Sequence, residues 1–261
     1  TRRAMAEPLL LALYLFIIWF LFKPFSNSNL IYLSICLGLL FQTKQTSVPL
    51  IISIWLIVII TGWRNSSWRG FLKALFIPVS LIAFCHFALN PIMWKDPVRV
   101  IGIMLQERLM FSQEQFSQLL QAGSGLALPT ALDRIVGLVA QIFFAPPAYF
   151  DIGNYAVQLE NSISAYRENI FNTLLSGWLW GGLLFIAVSF ALTMTPLLWQ
   201  KGKISWLSPQ VTTIIMLIFH VLFYLIALNI GFQRYYLPIL PLLFLLIALN
   251  FSLKKKKKKQ G

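Results

Sequence analysis

Seven runs of almost unbroken apolar residues organise this chain, four before position 91 and three after position 173. They are Ala4–Phe22, Leu30–Thr46, Val48–Trp63, Phe71–Leu89, Leu174–Leu198, Val211–Ile230 and Tyr236–Leu253. A helix crossing a bilayer needs roughly 20 apolar residues at about 1.5 Å each, and each run is read as one such span. Between the two blocks lies an amphiphilic stretch, Pro91–Thr173, holding seven of the eight acidic residues; only Glu7 lies elsewhere. The pattern predicts an all-α fold: a polytopic helical bundle of about seven spans with one large loop. Its parts are residues 1–90, four spans; 91–173, the loop; 174–253, three spans; and 254–261, a lysine tail.

Within the loop, Ile101, Leu105, Leu109, Phe116 and Leu119–Leu120 recur near helical spacing, which predicts a helix over Arg99–Gln121. Thr130 and Asp133 have capping-box spacing ahead of Ile135, Leu138, Val139, Ile142 and Phe143, and Ala145-Pro146-Pro147 ends that second helix. Both are too broken by polar residues to span, and read as helices lying in the membrane interface. Gly123-Ser124-Gly125 reads as a flexible joint, and Ser208-Pro209 as the start of the sixth span.

Composition agrees: 58% of residues are hydrophobic and 11% charged, against about a quarter charged in soluble domains. The net charge of +13 does not point to nucleic acid. Six of the positive charges form the run Lys254–Lys259, and most others stand at ends of apolar runs, as membrane anchors do. Cys36 and Cys85 fall inside apolar runs and read as small buried hydrophobes. Threading the spans alternately puts Lys23, Arg64, Arg69, Lys73, Lys201, Lys203 and the tail on one side, twelve basic residues with no acid. By the positive-inside rule that side is cytoplasmic and residues 91–173 are extracytoplasmic. Thr1 then begins outside with no signal to carry it there, which leads to the expectation that this is the C-terminal part of a longer protein.

Polar groups at membrane depth are costly, so each is a candidate for function. Gln42-Thr43-Lys44-Gln45-Thr46-Ser47 closes a second span that is only twelve residues if it stops at Phe41, about 18 Å of helix. Lys44 then either faces an anionic group inside the bundle or snorkels to the interface. Arg234, in the turn before the last run and followed by Tyr235, is either a bidentate phosphate clamp or an interface anchor. Glu7 is either a catalytic or positioning carboxylate, or the partner of Arg2 or Arg3. His86 and His220 lack a second metal ligand at helical spacing and read as hydrogen-bonded bundle histidines. Lys95-Asp96-Pro97 reads as a loop turn.

The order of several short motifs is similar to that of the GT-C glycosyltransferases, in particular the family 39 group that includes protein O-mannosyltransferases and aminoarabinose lipid A transferases. The resemblance rests on Arg3-Ala4-Met5-Ala6-Glu7-Pro8-Leu9-Leu10, Gly38-Leu39-Leu40-Phe41-Gln42-Thr43-Lys44, Asn90-Pro91 followed by Trp94-Lys95-Asp96-Pro97, and Arg234-Tyr235-Tyr236-Leu237-Pro238-Ile239-Leu240-Pro241. It covers residues 1–97 and 229–250. It implies a cell-membrane transferase moving a sugar from a polyprenyl-phosphate donor to an extracytoplasmic glycan, lipid or protein acceptor. Lys44, Arg234 and Tyr235 would hold the lipid phosphate. The family's acidic pair sits in a loop that this sequence lacks, leaving Glu7 as supporting carboxylate, and a divalent-metal requirement stays open. The rival readings are a multi-span transporter or lipid flippase, for which no duplicated halves are found, and a non-catalytic membrane assembly subunit.

Overall fold

The computed structural model describes residues 2–43, 45–144, 178–200, 207–231 and 233–258, with positions 164, 168, 202 and 205. Side chains at 2–7, 45, 65–67, 178–179, 233–234 and 253–258 fall outside that description. The described residues are helical almost throughout, with no strand beyond one isolated antiparallel bridge. In order they form α1 (Arg2–Leu21), α2 (Asn27–Thr43), a 3-10 turn (Gln45–Ser47), α3 (Val48–Leu89), a 3-10 turn (Pro91–Met93), α4 (Pro97–Gln121), α5 (Ala131–Val139) with a π turn (Ala140–Phe144), α6 (Trp178–Gln200), α7 (Pro209–Ala227), α8 (Gln233–Tyr236) and α9 (Ile239–Lys258). Among the described residues three segments are long and apolar enough to cross a membrane: Trp68–Leu89, Trp180–Gln200 and Pro209–Ala227. Pro8–Leu21, Val48–Arg64 and Ile239–Ser252 are shorter apolar helices.

The chain forms two compact units: residues 1–117 with 205–220, and residues 118–204 with 221–261. The boundary runs through the central loop, between Ser117 and Gln118.

In the first unit, α3 keeps helical hydrogen bonding over 42 residues but is not a rod. Trp55 Nε1 donates to Leu75 O at 3.2 Å, whereas a straight helix would hold these residues about 30 Å apart. The helix folds back at residues 65–67, making the two arms that the sequence predicts as separate spans. Gly62 permits the turn, since a Cβ there would stand 2.7 Å from Gly70 O and 2.9 Å from the Ala74 Cβ. Trp63, Trp68 and Phe71 cluster at the tip, with ring centroids 5.2–6.3 Å apart. Helix α2 lies against the second arm, where Gly38 makes room for Cys85; a Cβ at 38 would be 2.8 Å from the Cys85 Cβ. Small residues at such crossings replace the hydrophobic drive that apolar surroundings do not supply.

Helix α2 begins at Asn27 rather than at Leu30 and includes Gln42 and Thr43. Its 17 residues reach about 26 Å, so the second run is less short than its apolar letters alone imply. Helix α4 ends where expected, at Gln121, but starts two residues before Arg99, at Pro97, and has no buried residue. Ile101, Leu105 and Leu109 are exposed along one stripe. Asp96 is its N-cap, accepting from Arg99 N at 3.2 Å, with Pro97 as first residue, so Lys95-Asp96-Pro97 is a helix start. Gly123, with φ +61°, ends α4 by presenting Gly123 N to Leu120 O and Ser124 N to Leu119 O. The expected flexible joint is therefore an ordered C-cap.

In the second unit, α7 stops at Ala227, short of the predicted Ile230, because the chain there leaves the helix to pair with the loop. Leu128 N donates to Asn229 O and Gly231 N to Leu126 O, both at 2.8 Å. Pro238 cannot donate, which separates α8 from α9, and α9 runs on to Lys258, into the tail. Asn250 Nδ2 donates to Thr195 Oγ1 at 3.1 Å, joining α9 to α6.

Widening Gly62 tests the hairpin. We expect Gly62→Val to lower stability by about 1–3 kcal/mol through overpacking, read as a lower Tm in detergent. Gly182→Val, where an added Cβ meets open space, should change Tm little. Equal Tm for Gly62→Val and the parent would contradict the close approach.

Candidate functional site

The polar stretch that closes α2 is tied into the first unit by side chains from three places in the sequence. Gln42 Nε2 stands 2.7 Å from His86 Nδ1, and Asn90 Nδ2 donates to Gln42 Oε1 at 2.8 Å. Asn90 Nδ2 also donates to His86 O at 2.6 Å and approaches His86 Nδ1 at 3.4 Å. Both amide nitrogens aim at Nδ1, so the two amides orient the ring through that atom. The edge of Phe41 against the imidazole, centroids 5.1 Å apart, fixes the ring from the other side. His86 is thus the bundle histidine expected, and Gln42 is the partner that sequence reasoning missed. Asn90, four residues on from His86, shares its helix face and could have been anticipated. Gln42 is 44 residues away and had no local signal.

Four residues beyond Gln42, Thr46 is buried, and its Oγ1 has no partner. A buried hydroxyl left this way costs about 1–3 kcal/mol, and such orphans are rare enough to mark a place for a ligand atom or a water. Next along the chain, Ser47 Oγ donates to Leu40 O at 3.2 Å. Lys44, between Gln42 and Thr46, lies outside the described residues. The surrounding groups are neutral amides, an imidazole and hydroxyls, suited to holding phosphate or sugar oxygens. No Asp or Glu occurs from Pro8 to Lys95, so this stretch supplies no carboxylate.

Glu7 is in α1 and Arg234 in α8, but the side chains of both lie outside the described residues. Glu7 and Lys44 belong to the first unit, Arg234 and Tyr235 to the second. Tyr235 is half-buried, and its carbonyl accepts from Tyr224 Oη at 2.6 Å. The Tyr224 and Tyr236 rings meet edge to face, 5.3 Å apart, so the turn carrying Arg234 is held by an aromatic brace. His220, in the first unit, is buried beside Tyr14 Oη at 3.0 Å and Met216 O at 2.9 Å. Both its ring nitrogens are engaged. Among the described residues no three of His, Cys, Asp and Glu gather to hold a metal.

Arg134, which no sequence motif singled out, has a definite role in the second unit. Its Nη1 donates to Leu225 O at 2.8 Å and Ile226 O at 3.1 Å, and its Nε to Leu128 O at 3.3 Å. A guanidinium there satisfies the last carbonyls of α7 and suits the negative end of its dipole. Arg134 is aimed by the start of α5, where the predicted capping box is formed. Asp133 N donates to Thr130 Oγ1 at 3.1 Å, and the Thr130 hydroxyl and N–H donate to Asp133 Oδ2 at 2.6 and 3.0 Å.

No family model, curated protein or solved structure matches this chain.

The capping box carries a pH signature. Hydrogen bonds from the Thr130 hydroxyl and then its N–H hold the Asp133 pKa below its ordinary value. A lowered folded-state pKa stabilises the cap above the ordinary carboxylate range, and that contribution disappears as pH falls through the folded value. A carboxyl 13C titration in micelles should give Asp133 a midpoint below the usual ~3.9. Thr130→Val should raise it, and an unchanged midpoint would contradict the box.

Proposed function

We propose that this chain belongs to an integral membrane glycosyltransferase that moves a sugar from a polyprenyl-phosphate donor to an extracytoplasmic acceptor. The observation carrying the reading is the anchored polar end of α2: Gln42, beside Lys44, is held by His86 and Asn90, and Thr46 keeps an unused buried hydroxyl. A polar platform at the end of an apolar helix is what a lipid phosphate entering from the bilayer requires. Of these, Gln42, Lys44 and Asn90 fall in two motifs that resemble the GT-C transferases, the one ending in Gln42-Thr43-Lys44 and the one beginning at Asn90-Pro91.

In this reading all seven apolar runs span the cell membrane. Residues 23–26, 64–73 and the lysine tail face the cytoplasm, and residues 91–173 lie outside, with α4 along the interface as a roof. Lys44 and Arg234 supply the cations that neutralise charge growing on the leaving phosphate, with Tyr235 next to Arg234 in sequence. His86 contributes its oriented ring. A carboxylate activates the acceptor hydroxyl, and Glu7 supports it.

Two measurements test this. In intact cells, a cysteine at position 124 should react with a membrane-impermeant reagent and one at position 66 should not, in a background lacking Cys36 and Cys85. Labelling of position 66 would overturn the topology. In a transfer assay with the full-length protein and a polyprenyl-phosphate sugar, Lys44→Ala and Arg234→Ala should each lower turnover more than donor binding. Loss of a contact worth roughly 2–4 kcal/mol in the transition state corresponds to a roughly thirty- to thousandfold slower rate. Near-full activity in both variants would make these residues interface anchors and end the proposal.

A further inference from the structure

The opposite end of the first unit has its own chemistry. There the α1–α2 turn, the start of α2 and the first arm of α3 surround a pocket whose polar members are Lys23, Ser26, Asn29 and Thr61. Leu30, Leu33 and Val58 are buried and make its apolar floor. Lys23 and Ser26 are exposed at the rim.

Among the described residues no carboxylate is seen to pair with the cations here. The Lys23 ammonium sits 4.9 Å from the Trp19 ring centroid and 5.4 Å from that of Phe20, held by aromatic faces rather than by a carboxylate. Lys73 Nζ donates to Asn27 Oδ1 at 3.2 Å, bringing a second ammonium to the residue after Ser26. Arg64 and Arg69 flank the hairpin tip. Because α1 from Pro8 onward, α2 and α3 contain no Asp or Glu, these helices cannot pair them. Around the cluster, Trp19, Trp63 and Trp68 are each about 60% exposed, as rings at a bilayer–water boundary are. A basic rim, an aromatic collar and an apolar floor together match an amphiphile with a negatively charged head.

We propose that this pocket binds the headgroup of an anionic phospholipid. Its phosphodiester lies between Lys23 and Lys73, the Ser26 hydroxyl donates to a phosphate oxygen, and the glycerol and first methylenes rest against Phe20 and Phe25. The inference is independent of the transferase reading: it uses none of Glu7, Lys44, Arg234 or Tyr235, and stands or falls without a catalytic assay.

The lysine tail would bind anionic lipid by itself, so the test uses the full chain with Lys254–Lys259 changed to Gln. Native mass spectrometry from detergent, with added phosphatidylglycerol or phosphatidylcholine, reads lipid retention, and Tm checks folding. We expect phosphatidylglycerol to be retained over phosphatidylcholine. Affinity should fall about fivefold for Lys23→Gln or Lys73→Gln, the weight of one cation at an anionic surface, and more for both together. Lys95→Gln, outside the pocket, should change nothing. Ser26→Trp should also weaken binding by filling the pocket without altering charge. Equal retention of the two lipids, no loss in the Lys23→Gln/Lys73→Gln protein, an equal loss in Lys95→Gln, or full binding in Ser26→Trp would each overturn the proposal.

Discussion

A polar group in an apolar helix bundle must find its partner inside the protein. Within hydrocarbon an unmet donor or acceptor costs several kcal/mol, and no water is at hand. The described residues obey this with few departures. Ser34, Ser53, Thr61, Thr212 and Thr213 each return their hydroxyl proton to a carbonyl three or four residues earlier. The larger groups cross between helices: Tyr14 to His220 and Gln42 to His86 in the first unit, Asn250 to Thr195 in the second. Each such contact in a membrane bundle contributes about 0.6–2 kcal/mol, and each also fixes a register that Leu-on-Leu packing would leave free to slide. Against that background Thr46 stands out, because its hydroxyl is buried and unmet.

This constraint also decides what could be read from the letters. The helices were legible because a run of apolar residues closed by Asn, Ser, Pro or a charge has one local solution. The fold-back of α3 was legible too: Arg64-Asn65-Ser66-Ser67-Trp68-Arg69 interrupts the apolar pattern for a single turn. What the run lengths misjudged were the ends. Asn27 and Ser28 count as polar letters yet begin α2, and Leu228–Ile230 count as apolar letters yet leave α7 to pair with Leu126–Leu128. In both places a capping or pairing interaction outweighed hydropathy. Gly123 was legible as special but misjudged in kind, since positive φ serves an ordered cap as readily as a hinge.

The site was less legible than the fold for a related reason. Lys44 and Arg234 drew notice because a charge in an apolar run is conspicuous. Gln42, Asn90 and Arg134 are ordinary letters whose importance lies in partners 44 to 92 residues away. No window of sequence contains both ends of such a contact. Arg134 shows the gap most clearly: in the sequence it is one basic residue in an amphiphilic loop, and in the fold it closes the carbonyl end of α7 and ties the loop to it.

The first unit separates its polar chemistry by kind. Neutral amides, hydroxyls and an imidazole stand beside Lys44 in the sequence at the Gln42 end, while Lys23, Arg64, Arg69 and Lys73 gather at the Lys23 end. Kept a helix length apart, about 26 Å along α2, they lie beyond about 8 Å, the physiological screening length. Each end then meets its own surroundings undisturbed. The total lack of carboxylates between Pro8 and Lys95 makes this separation possible, since one acid midway would offer both ends a competing partner. It also means that any anion bound at either end must come from outside this part of the chain.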